Sequence, residues 1–176
     1  MRRIVLAALA ASVAGSLALA QSPSGGASAT ARMTGADGAD HGTVTFTQGQ
    51  SGLLHVMVEM TTLPPGAHGF HIHEKGVCDG NFDSAGSHYA GGKEHGAMNP
   101  KGAHAGDFPN VHVGENGVLK VEFFTERLSL GDAGQNPLMD ADGSAVVVHA
   151  DPDDYQSHPA GHAGTRIACG VIEQPS

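Results

Sequence analysis

Apolar residues recur at every second position in several short stretches, and this pattern restricts the fold of the chain more than any other feature. Val44 and Phe46 alternate with threonines, and Leu54, Val56 and Val58 form a second alternating set. A period of two places successive side chains on opposite faces of a β-strand. Further strand candidates lie at residues 118–123, 145–149 and 166–172. The pattern therefore predicts several half-buried strands.

Turn residues separate these stretches. Pro64-Pro65-Gly66, Glu115-Asn116-Gly117 and the segment 140–143 are clusters of Pro, Gly, Asn and Asp. The chain shows no convincing helical period, and its 26 glycines suit a protein rich in loops. Short strands with regular turn signals predict an antiparallel β-sandwich or barrel.

Two long segments interrupt the alternation of strands and turns. Residues 75–110 and 151–165 are rich in glycine and poor in apolar side chains. Loops of this length inside a compact domain usually carry function or are disordered. We find no internal repeat and no second domain, and we expect one domain spanning residues 32–176.

The first twenty residues have the layout of a secretory signal peptide. Arg2 and Arg3 precede an apolar run, and Ala18-Leu19-Ala20 provides a small-residue cleavage site. A membrane anchor is the alternative, but the run is short for a span of about 20 residues. Residues 21–31 are uncharged and rich in Ser, Gly and Ala, which predicts a flexible spacer. We therefore expect an exported protein, located in the periplasm or outside the cell.

The charge of the chain restricts its partners. The formal net charge is −9, and cleavage after Ala20 would make it more negative by removing two arginines. Such a protein should not favour nucleic acid or anionic lipid. We expect no nucleic-acid partner and no stable membrane association after signal cleavage. An anionic substrate would need local positive charge.

Only two cysteines are present, Cys78 and Cys169. In an exported protein the first expectation for such a pair is one disulfide. Two soft metal ligands are the alternative, which is weaker because no other cysteine accompanies them.

Histidines are concentrated around the two long segments. The chain has twelve, and His71 and His73 lie two apart on a predicted strand, so both imidazoles share one face while Ile72 faces the core. Four more histidines and one carboxylate flank or occupy the long segments: His88, His95, His104, Asp107 and His149. Imidazole suits copper and zinc, and a carboxylate is a common zinc ligand. Packing alone does not explain this set, which predicts a metal site.

Four motifs resemble the copper-zinc superoxide dismutase family, particularly its secreted bacterial members. They are Gly69-Phe70-His71-Ile72-His73-Glu74-Lys75-Gly76, His104-Ala105-Gly106-Asp107, Val147-Val148-His149 and Gly164-Thr165-Arg166-Ile167-Ala168-Cys169-Gly170-Val171-Ile172. The resemblance runs in order from about residue 31 to residue 173. It implies a Greek-key β-sandwich or flattened barrel of about eight antiparallel strands with two long functional loops, which agrees with the strand pattern.

The resemblance also implies the activity and its cofactors. The enzyme would convert two superoxide anions and two protons to oxygen and hydrogen peroxide through one-electron cycling of a copper ion, with a zinc ion beside it. The implied copper ligands are His71, His73, His88 and His149. The implied zinc ligands are His88, His95, His104 and Asp107, so that the His88 ring bridges the two metals.

Further roles follow from the same resemblance. Arg166 would receive the superoxide anion, and Asp153 would link a copper ligand to a zinc ligand, here His71 and His95. Cys78 would pair with Cys169. The resemblance allows a homodimer, but pairing surfaces differ within the family and the sequence does not identify one.

One departure from the family concerns the second long segment, which has no lysine to attract the anion. His158 and His162 lie there instead, and they would add positive charge when protonated. Lys93 and Lys101 are the next candidates for this role.

Two other functions are compatible with parts of this pattern. A non-enzymatic copper or zinc carrier, or a copper-delivery domain of the same fold, would be expected to lack a copper histidine or the arginine, and none is missing. An adhesive β-sandwich would leave the ordered histidine spacing unexplained.

Overall fold

The computed structural model describes residues 26–131 and 134–175, and the expected signal peptide lies outside this part of the chain. Within these residues nine strands follow one another: β1 (Ser28–Thr34), β2 (Asp40–Gln48), β3 (Leu54–Met60), β4 (Gly66–His68), β5 (Phe70–His73), β6 (Val111–Val113), β7 (Leu119–Thr125), β8 (Ala145–His149) and β9 (Arg166–Glu173). The described residues include one short 3-10 turn, Asp83–Ala85, and none of their helices has the length and apolar character to span a membrane.

The strands form two antiparallel sheets. The larger has the order β5-β8-β9-β1-β2-β3-β7, and β4 pairs with β6 in a small second sheet. Gly69 alone separates β4 from β5, so one short stretch of chain passes from the small sheet to the large one. The predicted all-β sandwich is confirmed.

Register across four neighbouring strands aligns the apolar positions. Ala31 pairs with Val44, Val44 with Val58, and Val58 with Val121. The first three of these side chains are fully buried. Because side chains alternate between faces, a one-residue slip would turn the whole set toward solvent. The period-two pattern therefore selects this register.

The predicted spacer at residues 21–31 is wrong at its end, because β1 begins at Ser28. Ala29 and Ala31 are fully buried and pair with Phe46 and Val44 of β2. These small alanines fill inward positions opposite larger residues, which explains why a Ser/Ala-rich stretch can form a core strand. The β1 segment has the composition of a linker because it supplies only the small residues of this pairing, while β2 supplies the large ones.

The long segments are loops, as predicted. Residues 74–110 connect β5 to β6, and residues 150–165 connect β8 to β9. A disulfide joins Cys78 of the first loop to Cys169 of β9 across a separation of 91 residues. A third connection, residues 126–144 between β7 and β8, was not singled out from the sequence.

Candidate metal centre

Strand β5 carries His71 and His73 at one edge of the large sheet, and its partner β8 ends at His149. The β5–β8 register pairs His71 with Val147, and the His149 amide donates to the Gly69 carbonyl at 2.9 Å. Both histidines of β5 are fully buried, as is Ile72, which belongs to the hydrophobic core.

The first loop follows the free edge of β5 and supplies the remaining side chains. Isolated bridges pair His71 with Asp107 and His73 with His88. The Ile72 amide donates to the Gly106 carbonyl at 2.9 Å, and the Tyr89 amide donates to the Ile72 carbonyl at 2.8 Å. The loop thus covers the edge strand and holds its own histidines against those of β5.

Seven of the predicted site residues converge in two buried groups that share one ring. In each group, one donor atom per residue lies within 4.8 Å of all the others. The first group is His71, His73, His88 and His149. The second group is His88, His95, His104 and Asp107. The structure therefore brings together the residues that the resemblance assigned to copper and to zinc, in the same grouping.

Unpaired nitrogen atoms in these groups fit metal ions. Within the part of the chain that the structure describes, His71 Nδ1 and His88 Nε2 are buried without a hydrogen-bond partner. His95 Nδ1 and His104 Nδ1 are also buried, and their nearest polar atoms are the Asp107 carboxylate oxygens, at 3.1 and 3.3 Å. His73 Nε2 and His149 Nε2 face each other at 3.4 Å. Buried polar atoms are rarely left without a partner, and imidazole lone pairs are ligands for copper and zinc.

The opposite ring nitrogens are held by acceptors, which fixes the direction of the free lone pairs. His73 Nδ1 donates to the Gly86 carbonyl at 3.0 Å, and His149 Nδ1 lies 3.3 Å from the Gly164 carbonyl. Such partners set the tautomer of a metal-binding histidine. The rings of His73 and His149 are therefore oriented so that each presents its Nε2, without a proton, to the first group.

Asp153 links the two groups. Its Oδ2 accepts from His71 Nε2 at 2.8 Å, and its Oδ1 accepts from His95 Nε2 at 3.0 Å and from the Tyr155 amide at 2.6 Å. The carboxylate is almost fully buried, at 1% side-chain exposure. Asp153 thus occupies the linking position that the resemblance implies.

The protonation properties differ between the two groups. Burial, reinforced by neighbouring imidazoles, lowers the pKa of His149 to about 3, and burial outweighs the Asp107 contact to lower the pKa of His88 to about 4. Burial would also lower the pKa of His95, but hydrogen bonds to Asp107 and Asp153 outweigh it and raise that pKa to about 9. Burial opposes ionisation of Asp107, yet its three histidine partners hold its pKa well below the usual range. His88 and His149 are thus neutral near pH 7, whereas the second group contains the Asp107 charge that a cation would meet.

Arg166 lines the cleft that leads to the first group. The cleft has a volume of about 230 Å³, and its other lining residues are His73, Ser87, His88, His149, Pro159, Ala160 and Gly164. Arg166 is partly exposed and donates to the carbonyls of Phe82 and Gly86, the latter at 2.6 Å. A fixed cation therefore borders an opening large enough for a small anion.

The remaining histidines lie outside the two groups. The ring nitrogens of His68 lie 2.8 and 2.9 Å from the carbonyl oxygens of His149 and Pro64, which makes it a structural residue. Among the described residues, neither His158 nor His162 lines the cleft. His158 is exposed beside the second group, and His162 lies 3.1 Å from Asp154. His162 would therefore carry its charge next to an opposing one.

Arg127 is a site residue that sequence reasoning missed. Its guanidinium donates to the backbone carbonyls of His104 and Asp107. The sequence gives no signal for such contacts. Every residue has a backbone carbonyl, so residue types do not show which carbonyls an arginine will contact.

Comparisons with known proteins agree with this geometry. The family model described as copper/zinc superoxide dismutase matches residues 40–172. A Cu-Zn superoxide dismutase of Caulobacter vibrioides is 46% identical over 150 residues, covering 83% of this chain and 86% of the relative. Superoxide dismutase [Cu-Zn] 1 of Aquifex aeolicus is 46% identical over 129 residues, covering 72% of this chain and 76% of the relative.

Solved structures give the same result. A double mutant of a SOD-like protein from Bacillus subtilis superposes with a TM-score of 0.78 at 38% identity, covering 81% of this chain and 95% of that one. Sequence and structure together show that this chain belongs to the copper/zinc superoxide dismutase family.

Proposed function

We propose that this chain is a copper- and zinc-dependent superoxide dismutase that converts two superoxide anions and two protons to oxygen and hydrogen peroxide. The observation that carries the proposal is the completeness of both buried groups beside a cleft with a fixed cation. Copper would be held by the four histidines of the first group, and zinc by the three histidines and Asp107 of the second. Bound copper supplies one-electron redox chemistry, which zinc does not offer.

Arg166 would bind the substrate. Two of its donors are fixed by loop carbonyls, which leaves a permanent charge and further N–H groups at the cleft. This local charge counters the negative field of the whole chain. Because His73 and His149 line the same cleft, an anion bound by Arg166 would lie beside the first group.

His88 would carry a proton. Formation of peroxide consumes protons, and His88 Nε2 is a buried nitrogen without a hydrogen-bond partner at the boundary of the two groups. Its Nδ1 lies 3.1 Å from Asp107, on the side of the second group. Once zinc occupies the second group, the ring would be held on that side while Nε2 takes up and releases the proton.

We also propose that the mature protein works outside the cytoplasm. The support is the charged, apolar and small-residue order of residues 1–20, together with the disulfide between Cys78 and Cys169. Disulfides persist in oxidising compartments, which include the periplasm and the cell exterior.

The deciding experiment combines metal analysis with a superoxide-consumption assay on the purified mature protein. We expect one copper and one zinc per chain, a Cu(II) electron paramagnetic resonance signal, and activity that chelation abolishes. His149→Ala should abolish activity and leave the sandwich folded, whereas the exposed His112→Ala on β6 serves as the matched control. Full activity without copper would contradict the proposal, and binding of both metals without activity would indicate a carrier instead.

The role of Arg166 has its own test. Arg166→Ala should slow the reaction while both metals stay bound, and rising salt should slow the wild type more than the variant because salt screens the charge. If His158 and His162 also attract the anion, replacing both with Gln should flatten the rise in rate between pH 8 and pH 6. An unchanged profile would leave Arg166 as the source of local charge.

A further inference from the structure

We propose that Arg127 is a positioning residue for the second group, the proposed zinc ligands and hereafter the zinc group. It holds the turn that carries two of these ligands. This inference rests on the zinc site proposed above. Arg127 Nη1 donates to the His104 carbonyl at 3.0 Å, and Nη2 donates to the Asp107 carbonyl at 2.5 Å. One planar group therefore bridges both ends of a four-residue turn.

The turn between these carbonyls sets the aim of the ligand atoms. The Asp107 amide donates back to the His104 carbonyl at 3.3 Å, which closes the turn. The amides of His104 and Gly96 each donate to Asp107 Oδ2 at 3.0 Å. Because the turn's own backbone orients the carboxylate, a change in the distance between its two ends would re-aim Asp107 and the His104 ring together.

Arg127 is itself fixed on a different part of the fold. Its amide donates to Thr125 Oγ1 at 3.1 Å, and Asn136 Nδ2 donates to its carbonyl at 2.8 Å. Thr125 is the buried last residue of β7, at 7% exposure. The contact therefore ties the metal-carrying loop to the sheet through a residue that is anchored at both backbone groups.

The charge of Arg127 argues that its effect is geometric. A cation beside the zinc group repels a divalent cation, so its charge alone would weaken zinc binding. Both hydrogen bonds run to neutral carbonyls, and a planar guanidinium can span two acceptors that a lysine ammonium cannot hold in the same geometry. Positioning therefore predicts that removing Arg127 weakens zinc binding, whereas a purely electrostatic role predicts the opposite.

The experiment measures zinc and copper affinities of the folded, disulfide-bonded protein by competition with chromophoric chelators. Arg127→Met keeps most of the aliphatic stem and removes the donors, Arg127→Lys keeps the charge, and Arg32→Met is the control, an exposed arginine paired with Asp40. Partners that orient metal ligands typically contribute about 10–100-fold to affinity. We expect zinc affinity to fall about tenfold in both Arg127 variants, copper affinity to change less than threefold, and the control to match wild type.

A spectroscopic measurement separates positioning from general stability. With cobalt(II) in the zinc group, the visible absorption reports ligand geometry, and we expect it to change in Arg127→Lys even if Arg127→Met fails to fold. Zinc affinities and cobalt spectra equal to wild type would overturn the inference, as would tighter zinc binding in Arg127→Met. If the wild type itself bound no zinc, the proposed zinc site would fall first.

Discussion

Replacing Asp153 with asparagine should damage the first group, the proposed copper ligands and hereafter the copper group, more than the zinc group, although the carboxylate contacts both. Among the residues that the structure describes, Asp153 Oδ1 accepts two hydrogen bonds, from His95 and from the Tyr155 amide, whereas Oδ2 accepts only from His71. An asparagine amide has one acceptor oxygen and one donor nitrogen. Its oxygen should take the Oδ1 position, because two donors converge there, and its nitrogen should then face His71 Nε2.

Two donors would thus oppose each other at His71. The ring can relieve this clash only by moving its proton to Nδ1, the nitrogen that faces the copper group. A hydrogen bond to a buried charged group contributes about 1.5–3 kcal/mol. Since 1.4 kcal/mol corresponds to a tenfold change, copper affinity should fall by about 10- to 150-fold.

The assay compares copper and zinc affinities of Asp153→Asn, Asp153→Ala and wild type by chelator competition. Asp153→Ala should weaken both metals, because it removes both acceptors. Asp151→Asn is the matched control, since it makes the same change of charge at an exposed position two residues away. A preferential loss of zinc in Asp153→Asn would refute the argument from the two unequal oxygens.

Three further outcomes are expected. Asp107→Ala should weaken zinc binding and expose the loop at residues 74–110 to protease, with a smaller effect on copper; the reverse order of affinities would show that the two groups are exchanged. Cys78→Ser should lower the free energy of unfolding by about 4 to 5 kcal/mol, from the chain entropy of the closed loop, and a loss below about 1 kcal/mol in urea titrations would contradict this. Metal-free protein should be most stable near pH 6.5. Below that pH the folded state loses stability, because the unfolded chain binds protons that His88 and His149 exclude in the fold. Above it the folded state also loses stability, because His95 gives up the proton that its carboxylate partners hold, and this loss is complete near pH 9. Urea midpoints that rise steadily from pH 5 to pH 9 would contradict this account.

The sequence predicts the sheet well because alternate side chains of a strand point to opposite faces, so an apolar residue at every second position marks the buried face. The alternation at Val44 and Phe46 appears directly as a buried face of β2. The grouping of the histidines was predicted only through the family resemblance. Spacing alone shows that His71 and His73 share a face, but the convergence of His88 with them depends on how the loop pairs with the free edge of β5.

Contacts that involve backbone groups or distant partners were not predictable. Arg127 contacts two carbonyls, and nothing in its sequence neighbours distinguishes it from an exposed arginine. His162 was predicted to add positive charge, and its proximity to Asp154 becomes visible only in the folded second loop. The start of β1 was missed for a related reason, since Ala29 is a core residue only because Phe46 lies opposite to it.

The short segment that follows Cys78 has a consequence for how the enzyme becomes active. The carbonyls of Phe82 and Gly86 that hold Arg166 lie on the part of the loop that the disulfide fastens to β9. A free arginine side chain loses up to about 2 kcal/mol of rotamer entropy when it is fixed, and here that cost is met during folding rather than when superoxide arrives. We therefore expect oxidation of the two cysteines to preorganise Arg166 for its proposed role in binding the anion. A chain that is still reduced would hold its metals beside an arginine that has not yet been preorganised.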